Sequence, residues 1–140
     1  MSNSPVKYRQ NEGRTELWDA FRKKWVLQTP EEEVRQFAAW YLHHDLGYPK
    51  SWIAMERTIS GGPKKFRFDM VVFNQEGKPW LLVECKAPEV KLNQTVFNQI
   101  FKYNRLLSIP YLWVSNGVEN RFFLHNASSP EELQGLPPYM

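Results

Sequence analysis

The stretch that most restricts how this chain can fold runs from Trp52 to Ser115. It holds three strand-like runs, Trp52 to Ile59, Phe66 to Phe73 and Trp80 to Lys86. Two short glycine-bearing turns join them, Ser60-Gly61-Gly62-Pro63 and Asn74-Gln75-Glu76-Gly77-Lys78-Pro79. Turns of that kind connect hairpins, so the three runs are expected to pair as antiparallel neighbours. A helix-length segment from about Asn93 to Leu107 follows, with Val96, Ile100, Tyr103 and Leu107 on one stripe, and then another strand, Pro110 to Ser115. A long helix between two strands lets the second return parallel to the first. Hairpins on one side and a crossover on the other require a mixed sheet in an α/β domain.

The flanks extend this frame. Thr29-Pro30-Glu31-Glu32 places a threonine at an N-cap, a proline at the first helical position and a glutamate at the third, a capping-box pattern. Val34, Phe37, Ala38, Tyr41 and Leu42 then recur at helical spacing, and Gly47 and Pro49 stop the helix. Downstream, Asn116-Gly117 signals a turn and Arg121 to His125 a last strand. The expected order is α-β-β-β-α-β-β over residues 29–126. Residues 1–28 read as a polar N-terminal arm with one short helix around Glu16 to Trp25. Residues 127–140, rich in proline and serine, read as an irregular tail.

Composition narrows the class. At 140 residues the chain fits one domain with a real core, and six tryptophans and nine phenylalanines argue against disorder. The longest apolar runs, such as Met70-Val71-Val72-Phe73 and Trp80-Leu81-Leu82-Val83, are too short to span a bilayer. Met1-Ser2-Asn3-Ser4-Pro5 lacks the apolar segment of a secretory leader. One cysteine, Cys85, excludes an intrachain disulfide framework. A soluble cytoplasmic protein is expected. The formal charge of +3 (18 basic against 15 acidic residues) is compatible with a polyanionic partner without indicating one.

Charged residues inside apolar strands carry the chemical signal. Asp69 sits among Phe66, Phe68, Met70, Val71, Val72 and Phe73, while Glu84 and Lys86 close the third run. Alternation puts Glu84 and Lys86 on one face, about 6.5 Å apart along the strand, with Cys85 pointing the other way. Hairpin pairing brings Asp69 to the same end. Two carboxylates and an ammonium converging there suit phosphodiester hydrolysis. Asp69, Glu84 and the Cys85 backbone carbonyl are oxygen ligands for Mg²⁺, with Mn²⁺ an alternative. Such an ion polarises a phosphate and acidifies a bound water, and Lys86 orients the water or stabilises charge on the phosphate. An acid, one residue, then lysine occurs three times here, at Glu76-Gly77-Lys78, Glu84-Cys85-Lys86 and Glu89-Val90-Lys91. Only the second ends a strand preceded by an aspartate-bearing strand. On spacing alone the trio reads equally well as a cross-strand salt-bridge cluster. Lys64, Lys65 and Arg67 could track a phosphate backbone, and the two lysines read equally as a solvated hairpin tip.

Phe68-Asp69, fourteen intervening residues and Glu84-Cys85-Lys86 resemble the PD-(D/E)xK nuclease superfamily. More closely, the stretch from Asp19 to Leu124 resembles the N-terminal endonuclease domain of type I restriction enzyme R subunits. The matching segments are Thr29-Pro30-Glu31-Glu32, Val34-Arg35-Gln36, Arg67-Phe68-Asp69, Val83-Glu84-Cys85-Lys86-Ala87-Pro88 and Ser115-Asn116-Gly117. The resemblance implies a restriction-endonuclease-like mixed sheet flanked by helices, and Mg²⁺-dependent cleavage of DNA with Asp69, Glu84 and Lys86 as catalytic residues. Gln99 and Tyr103, at the Gln-x-x-x-Tyr spacing of RecB-like relatives, share a helical face and would hold DNA or steady the site. Tyr103 also fits the buried stripe. Glu32 matches the first-helix acid that assists the metal in many relatives. It is also the capping-box glutamate, and periodicity turns it away from the apolar stripe. The motif's usual proline is Phe68 here, which ligates nothing. No Gly-rich phosphate loop is present, so the resemblance carries no ATP-driven motor. A homodimer, or a larger restriction or repair complex, is left open.

His43-His44-Asp45 reads as a solvated helix end, since adjacent helical residues diverge. Cys85 reads as a small buried residue. The alternative to cleavage is a nuclease-fold module that binds DNA or a partner without cutting. A purely structural domain is disfavoured by the cost of burying these charges to no purpose.

Overall fold

A computed structural model describes residues 6–126 and 128–139. Met1 to Pro5, read above for a leader, lie outside the described residues, as does Ala127 at the start of the expected tail.

The expected sheet is present. β4 (Ile53–Gly61), β5 (Lys64–Phe73) and β6 (Pro79–Cys85) form an antiparallel meander, and α2 (Gln94–Leu107) crosses over to β7 (Tyr111–Ser115), which lies parallel to β6. β8 (Asn120–Leu124) returns antiparallel to β7. α1 (Pro30–Trp40) starts as its sequence demands, with the Thr29 hydroxyl accepting from the Glu32 N–H at 3.0 Å. The helix widens into a π-helical turn over Tyr41–Asp45, where the Leu46 N–H reaches the Tyr41 carbonyl. Gly47, at φ +83°, then ends it.

The two helices cover opposite faces of the sheet. Val34, Ala38 and Leu42 of the first helical segment pack with Met70, Val72, Leu81, Val83, Cys85 and Trp113. Phe97 and Ile100 of α2 pack with Phe68, Val71, Leu82, Leu112, Val114 and Phe123. The alternation of Leu81, Leu82 and Val83 between these clusters explains why β6 is apolar on both sides: it is a central strand with a helix over each face.

Both ends of the chain depart from expectation. The arm folds into a three-stranded antiparallel sheet, β1 (Tyr8–Asn11), β2 (Arg14–Asp19) and β3 (Lys24–Leu27), with no helix at Glu16 to Trp25. Its strands are short and its outer residues polar, which hid the period-two pattern. The signal that could have revealed it is Asn11-Glu12-Gly13-Arg14, where Glu12 and Gly13 both take positive φ in a tight hairpin. The tail is likewise not wholly irregular, because β9 (Glu131–Leu133) adds a sixth strand beside β8. Three residues carry too little pattern to stand out. Among the described residues no helix is long and apolar enough to cross a membrane.

Candidate active site

The antiparallel ladder between β5 and β6 pairs Met70 with Val83, and the next positions along are Asp69 and Glu84. There the side chains take over the bonding. The Asp69 N–H donates to Glu84 Oε1 at 3.1 Å, and the Cys85 N–H donates to Asp69 Oδ2 at 2.7 Å. Each carboxylate therefore rests on the other strand's backbone. On the far side of β5, Glu56 sits opposite Asp69 with φ +52°, a left-handed conformation that costs a non-glycine residue strain. Phe68 and Met70, two residues apart, consequently pack into clusters on opposite faces of the sheet. The kink turns Asp69 out of the sheet toward α1.

α1 answers with Arg35. Its Nη2 donates to Asp69 Oδ1 at 2.8 Å and its Nη1 to Glu32 Oε1 at 2.6 Å. Burial works against the Arg35 charge, yet the hydrogen bond and charge of Asp69, with the charge of Glu32, hold its pKa above the usual guanidinium value. Glu84 is pushed up to about 7, first by burial and then by the charge of Asp69, against the opposing pull of the Asp69 N–H and Lys86. Burial, and next the charge of Asp69, also raise the Cys85 thiol, which lies in the α1-side core as expected of a small buried residue. Lys86 follows β6 directly, half-buried, with its N–H bonded to the Ser115 carbonyl at 2.8 Å.

A cleft of about 270 Å³ opens over these groups, lined by Glu31, Arg35, Glu56, Arg67, Phe68, Asp69 and Glu84. Of the first-helix acids it is Glu31, with its side chain 47% exposed, that faces the cleft. Glu32 is 5% exposed and saturated by Arg22, Arg35 and Gln36. Glu31, Arg35, Glu56 and Arg22 were not singled out from the sequence for roles here. The i to i+4 spacing of Glu31 and Arg35 was the one local signal. Arg22, from the β2–β3 turn, pairs with Asp19, with Glu32 at 2.7 Å and with Glu56 at 3.1 Å.

The remaining residues spread outward. Arg67 is exposed at the cleft's edge and pairs with Glu56 at 3.1 Å, while Lys64 and Lys65 are exposed toward the hairpin tip. Gln99 donates to the Tyr103 hydroxyl at 2.8 Å, and the Tyr103 ring lies 4.9 Å from that of Phe66 on β5. Neither lines the cleft at Asp69. His44 and Asp45 are exposed, as expected of a helix end, whereas His43 bonds the Tyr48 carbonyl.

Residues 30–137 match the sequence profile of the family described as type I restriction enzyme R protein N terminus. The chain belongs to that family. Within this type I R-protein N-terminal domain, Asp69, Glu84, Lys86, Gln99 and Tyr103 all fall inside the matched span, whereas Asp19 and Arg22 precede it. The fold is shared with the crystal structure of a candidate nuclease of DUF820 from Anabaena variabilis ATCC 29413, at a TM-score of 0.50 and 12% identity. That likeness covers 91% of this chain and 80% of the other. No curated protein matches the sequence.

Proposed function

We propose that this R-protein N-terminal domain is a divalent-metal-dependent deoxyribonuclease that hydrolyses phosphodiester bonds in the cytoplasm. The observation that carries the reading is the convergence of Asp69 and Glu84 at a break in the β5–β6 ladder, with Lys86 two residues on. Among the described residues no group of three or more His, Cys, Asp or Glu side chains is arranged around one point. Two carboxylates, with Glu84 Oε2 free of hydrogen bonds from described residues, fit a cation that takes its other ligands from water and a backbone carbonyl such as that of Cys85. Mg²⁺ is such a cation, and Mn²⁺ resembles it. When bound, it supplies the charge that polarises the phosphate and acidifies water.

The chain's own residues do the rest. Asp69 is held by the Cys85 N–H and Glu84 by the Asp69 N–H, which fixes their oxygens before any substrate arrives. Lys86 places its charge beside Glu84 and stabilises the phosphate as negative charge builds on it. Arg67, Lys64 and Lys65 extend a cationic edge along which the DNA backbone can run. The Gln99–Tyr103 pair makes a lateral contact to the same strand. The test is incubation of the purified chain with linear, supercoiled, single-stranded and branched DNA in Mg²⁺, Mn²⁺ or EDTA. Asp69→Ala and Lys86→Ala are expected to lose at least a hundredfold in rate. Tight, metal-independent DNA binding with no turnover would instead identify a non-cleaving module.

A further inference from the structure

We propose that Arg35 is the standing counter-ion of Asp69 and competes with the divalent cation for it, so that this arginine sets the cation affinity of the site. The inference rests on the metal-dependent reading above.

Both oxygens of Asp69 are engaged, Oδ2 by the Cys85 N–H at 2.7 Å and Oδ1 by Arg35 Nη2 at 2.8 Å. A cation held by Asp69 and Glu84 would share Asp69 with the guanidinium or displace it. While it is shared, a unit positive charge stands within roughly 5 Å of a double positive charge, where repulsion is strong even at a surface-like dielectric; displacement instead costs the Arg35–Asp69 ion pair. The guanidinium is not there for its own comfort. Its Nε is buried with no hydrogen-bond partner among the described residues, an unfavourable state that the fork accepts in reaching Asp69.

The placement is also enforced from behind. Glu32 Oε1 holds Arg35 Nη1 at 2.6 Å, and Glu32 Oε2 is held by Arg22 at 2.7 Å and by Gln36 at 3.2 Å. Arg22 is anchored on Asp19, which is fully buried. A chain of charges thus runs from the N-terminal sheet through Glu32 to Arg35 and Asp69. Glu31 Oε1, 3.8 Å from Arg35 Nη2, is a second acceptor within reach when Oδ1 is taken. The consequence is a domain with weak hold on its cation until a phosphate adds negative charge beside Arg35.

The test is a Mn²⁺ titration of the purified chain without DNA, reading free ion by electron paramagnetic resonance. Arg35→Gln removes the charge, and its dissociation constant is expected to fall about tenfold. Arg35→Lys, which keeps the charge, is expected to stay within about threefold of wild type. Damage to a scaffold loosens a site, so tightening is a result that a merely structural role does not produce. Equal or weaker binding by Arg35→Gln overturns the proposal. Should that variant fail to fold, the wild-type chain answers: the Arg35 Nη protons, resolved by nuclear magnetic resonance in EDTA, must shift or broaden on saturation with Mg²⁺, and unchanged signals overturn it. A wild-type chain whose Mn²⁺ binding is absent, or indifferent to Asp69→Ala, sinks the metal reading itself. That outcome is distinct from a wild type that binds at Asp69 and an Arg35→Gln that does not tighten.

Discussion

Glu84 makes the site's electrostatics measurable without substrate. Its carboxyl is raised from an ordinary 4.5 to about 7, by burial first and then by Asp69. Between those values the folded chain keeps a proton that the unfolded chain has released. Stability from this group is therefore fully present below about 4.5 and is lost as pH rises through about 7. In EDTA, urea unfolding should show a lower midpoint at pH 8 than at pH 5, and Glu84→Gln should flatten that difference. An unchanged slope in the variant would assign the dependence to another group. A second contrast separates two ion pairs of similar appearance. Arg22 binds Asp19, 0% exposed, together with Glu32 and Glu56, whereas Arg121 binds Glu132 in the open. Arg22→Ala should cost about 3–5 kcal/mol, because it strands buried carboxylates. Glu132→Ala should cost under about 1 kcal/mol, since water replaces what is lost. Chemical denaturation of both variants decides, and a mild Arg22→Ala would mean that water reaches Asp19 and Glu32.

At the level of elements, what the sequence disclosed depended on whether a local pattern had a tertiary competitor. α1 begins at its Thr29 cap and β6 shows its double-sided apolar run because capping and strand burial are local in origin. Asp69, Glu84 and Lys86 stood out as candidates for the same reason: charges in apolar strands contrast with their neighbours. Glu31 against Glu32 was not legible. Both stand in the first turn, and the choice is made by Arg22, which arrives from ten residues upstream through a sheet with no strong periodicity. α2 offers a similar case. Its buried face centres on Phe97, Ile100 and Asn104, not on the purely apolar stripe through Val96 and Tyr103. Asn104 is polar, yet it is 1% exposed and clasps the loop into β7, accepting from the Ile109 N–H and donating to the Ile109 carbonyl, both at 2.9 Å. Asn104→Leu would leave two buried backbone groups unpaired, at about 1–3 kcal/mol each. A loss of about 2–6 kcal/mol in urea unfolding is expected, and a loss below about 1 kcal/mol would show that the loop finds other partners.

Across the whole molecule the question is whether the N-terminal sheet is an appendage or part of the folding unit, since the family match begins at residue 30. A three-stranded sheet of 4, 6 and 4 residues needs an apolar face or a packed partner to be stable. Leu17 and Asp19 are both 0% exposed, and Arg22 reaches past Glu32 to Glu56 on β4, so the sheet's inner face is finished by the rest of the chain. Loss of the sheet would expose Glu32 and leave Arg35 with one holder fewer beside Asp69. The two parts should therefore unfold together. Native-state hydrogen exchange tests this directly, because amides that open only by global unfolding share one free energy and one urea dependence. Peptides covering β2 and β6 are expected to converge on a single opening free energy as urea rises toward the transition. If β2 instead exchanged through an opening at least about 2 kcal/mol cheaper, with a shallow urea slope, the sheet would be a separately unfolding flap. Arg35 would then owe its position to α1 alone. Convergence would mean that the segment preceding the family's matched span contributes to holding Asp69.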